Sequence, residues 1–352
     1  MRARFEGLAL DAVIGAVPAR VSRFDDEIPN YTHDPADSAK LKAVMGYGEH
    51  RIAPPGMTTA DLARAGLQAL IERGALRPDE VDALFFVSQT PDHPIPATSA
   101  LLHGAFGLRT EAYCADINDG CNGYIKGLYE AAAFLSATGS ACAVLVAGDV
   151  LSARVSPRDR NSYPLIGDAA TVSVLRRQAG AAPLTIEIHH DGRGHDALII
   201  TAGGARQPID ADTGRPHTDA DGNVRSAEQL RMNGRDVFAF TQTTVPAFLT
   251  AFAERQRSPL SDYQRIYAHQ ANAFILDRLR RKLKVDDTVL PDRVVRRWGN
   301  SSSGTVPMLI ATETATDAPM HCLLAGFGVG LSWGAADLRL DPVVPRGLLE
   351  LP

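Results

Sequence analysis

The chain is poor in several features that would assign a protein to a class at once. Its 352 residues include four cysteines and two tryptophans, and the formal net charge is −5. Four cysteines without a C-x-x-C pair indicate neither a disulfide framework nor a paired metal-binding motif. The slightly acidic balance argues against a nucleic-acid-binding protein, which usually carries a basic surface. These exclusions leave a globular protein of ordinary composition.

Long hydrophobic runs are also missing. The most apolar stretches, ACAVLVAG and LLAGFGVGLSWGAA, fall short of the ~20 residues that a transmembrane helix needs. Near the amino terminus, Glu6 and Asp11 interrupt the apolar run that a signal peptide requires. We therefore expect a cytoplasmic protein with no membrane segment.

Short apolar runs alternate with segments of helical periodicity in both halves of the chain. Strand-like runs at 82–88 and 141–148 flank a predicted helix that follows residue 121. Further on, a helical segment at 237–255 precedes a short strand that ends at His269. Strands that alternate with helices predict an α/β fold.

The repetition of this alternation predicts two similar halves, at 1–178 and 179–352. Each half carries one reactive-looking residue just after a strand. Residues 191–226 are rich in glycine, aspartate and proline, which is typical of a long surface excursion. We expect this excursion to lie near the entrance to a site.

Cys121 lies where a predicted strand turns into a predicted helix, between Gly120 and Gly123. A strand–turn–helix arrangement can present the residue at the turn to a ligand at the end of a sheet. The unpaired N–H groups of a helix N-terminus favour a thiolate. Taken alone, this cysteine fits a small buried residue as well as a nucleophile.

Three further segments are ordinary when each is taken alone. His269 ends a strand, Asn300 lies in a glycine- and serine-rich loop before Pro307, and residues 326–330 read GFGVG. A structural histidine, a loop asparagine and a tight turn would account for all three. Glycines in the last segment would also allow backbone N–H groups to face a ligand.

Together, and in this order, these segments resemble the ketoacyl-ACP synthase III family of the thiolase superfamily over nearly the whole chain. The resemblance implies a thiolase-like five-layer αβαβα fold of two duplicated halves, and a homodimer. The segments that carry it are DINDGCNGY, IGDAA, LRMNGRDVFAF, YAHQAN, WGNSSSGTVP and GFGVGLSWG.

The resemblance also implies the chemistry. Cys121 would be acylated from a thioester, and His269 and Asn300 would then stabilise the enolate formed when a malonyl thioester loses CO2. The carbanion would attack the acyl group on Cys121 and give a 3-oxoacyl product. The backbone N–H groups of Cys121 and Val329 would form an oxyanion hole.

The same resemblance implies the partners of the reaction. Substrates would be thioesters of coenzyme A or of an acyl carrier protein, and no cofactor would be needed. Ile95, Phe274 and Phe327 would line the substrate pocket. The segment EIHHDGRGHD contains possible metal ligands, but it falls where the family has a strand and a turn, so we expect no metal.

Two departures from the family pattern lie beside the nucleophile or its oxyanion hole. Asp119 and Asn122 stand where small apolar residues are usual, and we expect Asp119 to cap the helix. Val329 replaces a common glycine, so the backbone N–H of this residue can serve only if its φ suits a β-branched side chain.

Other departures concern the substrates. Both tryptophans lie in the C-terminal half, so an N-terminal tryptophan that stacks on coenzyme A is absent, and residues 24–50 are unusual. Phe274 replaces a basic residue that helps dock the acidic carrier protein, a loss for which the basic segment 278–284 could compensate. Ile95 replaces a bulkier residue that reaches into the partner's acyl pocket, which indicates a longer or branched acyl group.

Three functions remain open at this stage. The first is decarboxylative condensation, in fatty acid or secondary metabolite biosynthesis. The second is acyl transfer from Cys121 to a hydroxyl or amine, with His269 as general base. The third is a non-catalytic subunit of the same fold, which is disfavoured because Cys121, His269 and Asn300 are all present.

Overall fold

Two β-sheets and the helices around them build the protein. The structure is a computed structural model, and it describes residues 1–313, 318–342 and 346–352. In chain order, the described strands are β1 (Arg2–Phe5), β2 (Leu8–Pro18), β3 (Val21–Arg23), β4 (Glu49–Arg51), β5 (Ala83–Val87), β6 (Tyr113–Ile117), β7 (Cys142–Asp149), β8 (Ala169–Arg177), β9 (Leu184–His190), β10 (Leu198–Ile199), β11 (His217–Thr218), β12 (Val224–Arg225), β13 (Arg231–Met232), β14 (Arg265–Ala268), β15 (Met320–Gly328), β16 (Ser332–Leu340) and β17 (Arg346–Leu351).

The α-helices are distributed over both halves. In chain order they are α1 (Phe24–Glu27), α2 (Pro35–Met45), α3 (Thr59–Glu72), α4 (Thr98–Ala105), α5 (Gly123–Thr138), α6 (Gly234–Gln256), α7 (Ala273–Leu283), α8 (Arg293–Arg297) and α9 (Thr305–Ala311). Within the described ranges, no helix combines the length and the apolar character needed to cross a membrane.

The two large sheets repeat one pairing pattern. The first has the order β17-β2-β8-β7-β5-β6, and the second has the order β1-β9-β16-β15-β14. In the first, β8 pairs antiparallel with β7, and β7 pairs parallel with β5. In the second, β16 pairs antiparallel with β15, and β15 pairs parallel with β14. This repetition is what two duplicated halves produce.

Helices fill three layers around the two sheets. Between the sheets, α5 contacts β5 and β7 of one sheet and β9, β15 and β16 of the other, and α9 also touches strands of both. On the outer faces, α3 packs on β2 and β8, and α6 packs on β15 and β16. Separate apolar clusters fill the space between the sheets and the space beneath each outer layer. The predicted five-layer αβαβα fold is confirmed.

Local sequence signals explain where several elements begin. The Thr58 hydroxyl accepts a hydrogen bond from the backbone N–H of Asp61, and the Thr58 N–H donates one to the Asp61 carboxylate, so a capping box starts α3. The predicted strand at 82–88 is β5, and the predicted helix after Cys121 is α5. The segment at 237–255 lies within α6 despite the internal Pro246.

The terminal strands cross between the halves. β1 pairs antiparallel with β9 in the second sheet, whereas β17 pairs parallel with β2 in the first. A boundary between residues 178 and 179 stays a prediction, because each sheet draws one strand from the opposite end of the chain. The excursion at 191–226 contains short strands, and several of its residues reach the cavity described below.

Candidate active site

The predicted site residues gather where parallel strands end. β5, β6 and β7 run parallel and end near Ser88, Cys121 and Val150, while β14 and β15 end near His269 and Val329. The carboxyl ends of parallel strands are where α/β folds place ligands. The chain therefore brings residues that are far apart in sequence to one region.

A cavity of about 850 Å³ opens at this region. Cys121, Asn300, Ser302 and Val329 lie on its wall, together with Gln89. Apolar residues of the excursion and its flanks complete the wall, namely Leu198, Ile199, Ile200, Ala202, Ile209, Leu230 and Met232. A mainly apolar cavity with a few polar groups is the usual form of a small-molecule site.

Cys121 lies two residues before α5, which begins at Gly123 with Asn122 at the N-cap position. The expected cap by Asp119 is wrong, because no side chain caps this helix. Instead, Oδ2 of Asp119 lies 3.4 Å from Nζ of Lys126, one turn into the helix. The salt bridge to Lys126 occupies the carboxylate that was expected to bind backbone N–H groups.

Burial dominates the electrostatics of the Cys121 thiol. It raises the pKa of this thiol to about 12, and the charges of Asp149 and Asp119 act in the same direction. The backbone N–H of Val329 and the Ser302 hydroxyl act to lower the pKa, but burial outweighs them. Burial therefore opposes the thiolate that the helix N-terminus was expected to favour.

The loop after β15 lies directly against Cys121. A Cβ added to Gly328 would stand 2.7 Å from Cβ and 2.9 Å from Sγ of Cys121, so only glycine fits there. Val329 is not among the non-glycine residues with positive φ in the described chain. Its backbone is thus compatible with valine, and its N–H group acts to lower the pKa of the Cys121 thiol.

His269 is buried, with 2% of its surface exposed. Its Nδ1 lies 2.7 Å from Oγ1 of Thr305, and that hydroxyl also lies 3.0 Å from the Ser302 carbonyl. Burial lowers the pKa of His269 to about 3, so the ring is neutral. For Nε2 to donate a hydrogen bond, Thr305 must donate to Nδ1, and the Ser302 carbonyl competes for the same proton.

Asn300 is held by a strained loop. Ser302 has a φ of 56°, an unusual value for a residue with a side chain. This conformation lets the Ser302 N–H donate to Oδ1 of Asn300 at 2.9 Å, while Nδ2 lies 3.5 Å from the Ala271 carbonyl. Because its oxygen is already occupied, the amide can offer its NH2 group to a ligand.

Asp149 is a further member of this region that the sequence analysis missed. It is fully buried at the end of β7, and its Oδ1 accepts hydrogen bonds from Ser88, the Gln89 N–H and Thr90 at 2.6–3.0 Å. Burial raises the pKa of Asp149 to about 6, although these hydrogen bonds oppose the rise. An acidic residue at the end of an otherwise apolar strand was the available signal.

The three predicted pocket residues lie apart from the cavity wall in this chain. Ile95 is 87% exposed, and Phe274 stacks on Phe238 with ring centres 5.7 Å apart. Phe327 is buried and meets the His269 ring edge-on at 5.5 Å. Their roles in binding substrate stay predictions. Among the described residues, no group of three or more His, Cys, Asp or Glu is arranged to hold a metal ion.

Family models and relatives of known name match most of this chain. A family model for 3-oxoacyl-[acyl-carrier-protein] synthase III matches residues 115–192, and the model for the C-terminal part of that family matches residues 253–340. A beta-ketoacyl-[acyl-carrier-protein] synthase III of Symbiobacterium thermophilum is 32% identical and covers 85% of this chain and 88% of its own. A Synechocystis protein of the same name is 32% identical over 78% of this chain and 81% of its own.

Solved structures agree with the fold. A 3-oxoacyl-(acyl-carrier protein) synthase of Burkholderia xenovorans superposes with a TM-score of 0.90 at 28% identity, covering 100% of this chain and 99% of the other. A 3-oxoacyl-(acyl-carrier-protein) synthase III structure gives a TM-score of 0.88 at 34% identity, with 95% and 99% covered. The chain belongs to the 3-oxoacyl-[acyl-carrier-protein] synthase III family.

Proposed function

We propose that the protein is an acyltransferase that loads an acyl group on Cys121 and condenses it with a malonyl thioester. The observation that carries this proposal is that Cys121, Asn300 and the Val329 loop share one cavity. Beside that cavity, Ser302 and Thr305 connect His269 to the loop of Asn300. No observation in the structure favours transfer to a hydroxyl or amine.

In the first half of the reaction, Sγ of Cys121 attacks the carbonyl carbon of an acyl thioester. The new carbon–sulfur bond replaces the old one, and the thiol proton leaves with the departing thiol. The negative charge on the tetrahedral oxygen would be stabilised by the N–H groups of Cys121 and Val329. Burial raises the pKa of the Cys121 thiol to about 12, so in this proposal the thiol loses its proton as it attacks the bound thioester.

In the second half, the carbon–carbon bond to the malonyl carboxylate breaks and releases CO2. The electron pair remains as an enolate, whose oxygen would accept hydrogen bonds from Asn300 Nδ2 and His269 Nε2. The enolate carbon attacks the acyl carbon, the bond to Sγ breaks, and the Cys121 thiolate takes up a proton from solvent. All of these steps use only protein groups and thioesters, so the proposal includes no cofactor.

The proposed substrates arrive as thioesters of coenzyme A or a carrier protein. The acidic carrier would dock on exposed basic residues at α7. These are Arg278, Arg281 and Lys282 of the helix and Lys284 just after it. The guanidinium of Arg278 lies 5.2 Å from the ring centre of Phe274. This packing presents a preoriented cation, which suits recognition of an acidic helix.

We expect Arg278→Glu to lower kcat/KM for a malonyl carrier protein about tenfold, because it places like charges together. The rate with the malonyl thioester of N-acetylcysteamine, which has no carrier, should not change. Steady-state kinetics with both substrates measure the difference. Arg64→Glu, an exposed site on α3, is the control. Equal losses with both substrates would refute carrier docking at Arg278.

A homodimer and a cytoplasmic location are part of the same proposal. β6 is an edge strand of the first sheet, and its Tyr113 is 49% exposed. Ile95, near the same edge, is 87% exposed and would contact a second copy. All four cysteines are free, which fits a reducing compartment.

A load-and-chase experiment tests the function. The protein is incubated with acyl thioesters from acetyl to octanoyl, the mass added to Cys121 is measured, and a malonyl thioester is then added. We expect an adduct, followed by CO2 release in equal amount to 3-oxoacyl product. Loss of the adduct to an alcohol or amine without CO2 would contradict condensation. Loading with acetyl but not octanoyl would contradict the longer acyl group inferred from Ile95.

A further inference from the structure

Two buried side chains, Glu27 and His50, contact each other behind the loop that carries Asn300. Glu27 and His50 are 4% and 1% exposed, and His50 Nε2 lies 2.6 Å from Oε1 of Glu27. Ser22 and Tyr31 also donate hydroxyl hydrogen bonds to the Glu27 carboxylate, at 2.5 and 3.2 Å. Neither residue lines the cavity, and the proposed chemistry does not use them.

The other nitrogen of His50 faces the catalytic loops. Nδ1 contacts the backbone carbonyl of Ile166. A carbonyl can only accept, so Nδ1 carries a proton and donates it to Ile166. Nε2 and the Glu27 carboxyl group share the second hydrogen bond of the ring.

Ile166 connects this pair to Asn300. The two residues form a parallel β-bridge, in which the Asn300 N–H donates to the Leu165 carbonyl at 2.7 Å and the Gly167 N–H donates to the Asn300 carbonyl at 3.1 Å. The backbones approach so closely at Gly299, where φ is 83°, that a Cβ there would stand 2.9 Å from Cβ of His50.

We infer that the Glu27–His50 pair is a positioning device for Asn300. It fixes the Ile166 carbonyl, and through the β-bridge it fixes the backbone from which the Asn300 amide reaches the cavity. Burying these polar side chains is costly unless their hydrogen bonds remain, because a buried donor or acceptor without a partner loses its solvation without compensation. Glu27 lies in the unusual segment 24–50, so this support is supplied by the part of the chain that departs from the family pattern.

Glu27→Gln tests the inference, which rests on the proposed function. The substitution exchanges one acceptor oxygen of Glu27 for an NH2 donor with little change in volume, so Ser22, Tyr31 and His50 can no longer keep the same three contacts with this side chain. We expect loading of Cys121 to proceed normally, because Asn300 acts only in the second half-reaction. The rate of condensation per acylated enzyme should fall about 10- to 100-fold, the scale of a misplaced catalytic group.

Glu187→Gln is the matched control. Glu187 is a buried carboxylate that contacts His189 at 2.7 Å and Arg255 at 2.9 Å in the second sheet, away from Asn300. It should lower stability without changing the ratio of condensation to loading. If Glu27→Gln also leaves that ratio unchanged, the inference is overturned.

A second measurement does not depend on activity. Hydrogen exchange followed by mass spectrometry should show faster exchange at 165–168 and 298–302 in Glu27→Gln than in the wild-type protein and in Glu187→Gln. Unchanged exchange would overturn the inference even if the wild-type protein failed to condense. Conversely, faster exchange in a protein that loads but never condenses would sink the proposed function and leave the positioning role standing.

Discussion

Cys121→Ala is expected to abolish covalent acylation of the protein and all condensation. The reason is that the Cys121 sulfur is the only protein atom that forms a bond to the acyl group in the proposed mechanism. Intact-mass measurement after incubation with an acyl thioester gives the result directly. Product formation should fall to the background level of the assay, and the fold should be retained, since alanine keeps Cβ against Gly328.

Cys114→Ala is the matched control for this experiment, because Cys114 is also free and partly exposed but lies in β6. Its variant should be acylated as the wild-type protein is. If the mass adduct persisted in Cys121→Ala and disappeared in Cys114→Ala, the nucleophile would be Cys114 and not Cys121.

His269→Ala and Asn300→Ala are expected to separate the two halves of the reaction. Each variant loses one donor to the enolate oxygen, and loss of one such donor costs about 10²- to 10³-fold in rate. Loading of Cys121 should persist, so acylated protein should accumulate when a malonyl thioester is added. Quantifying adduct and CO2 in the same sample tests this expectation.

His321→Ala provides the control, because its ring contacts Asp337 on the outer part of the second sheet. It should load and condense normally. If His269→Ala failed to load but condensed normally once acylated by another route, the two half-reactions would have to be assigned in reverse.

The pH dependence of condensation follows from the protonation state of His269. Burial lowers the pKa of His269 to about 3, so the neutral ring is the form present at every pH above about 4. The condensation rate should therefore not fall through protonation of His269 as the pH is lowered from 8 to 5. A loss of activity with a midpoint near 6.5 that disappears in a His269→Asn variant would contradict this protonation state.

Much of the fold could be predicted because its signals are local. The capping box at Thr58, the apolar strands and the periodicity of α5 each depend on neighbouring residues. The prediction that Cys121, His269 and Asn300 belong to one site depended on the family resemblance. No local sequence signal relates residues that lie nearly 180 positions apart. The structure places Cys121 and Asn300 on one cavity wall and His269 beside it.

The electrostatics of the site could not be predicted from the sequence. The helix N-terminus predicted a thiolate at Cys121, but the pKa depends on how much water the folded chain excludes and on where Asp149 lies. The cap predicted for Asp119 failed for a similar reason, since Lys126 competes for the carboxylate. The Glu27–His50 contact could not be predicted from the sequence, because the two residues become neighbours only through tertiary packing.

The exchange of terminal strands has a consequence for how the chain must fold. β1 pairs with β9 across about 180 residues of chain, and β2 pairs with β17 across about 330 residues. Contacts of such large sequence separation slow folding. Each large sheet needs a strand from the other half of the chain before it is complete, so we expect the two halves to fold together and not as independent units.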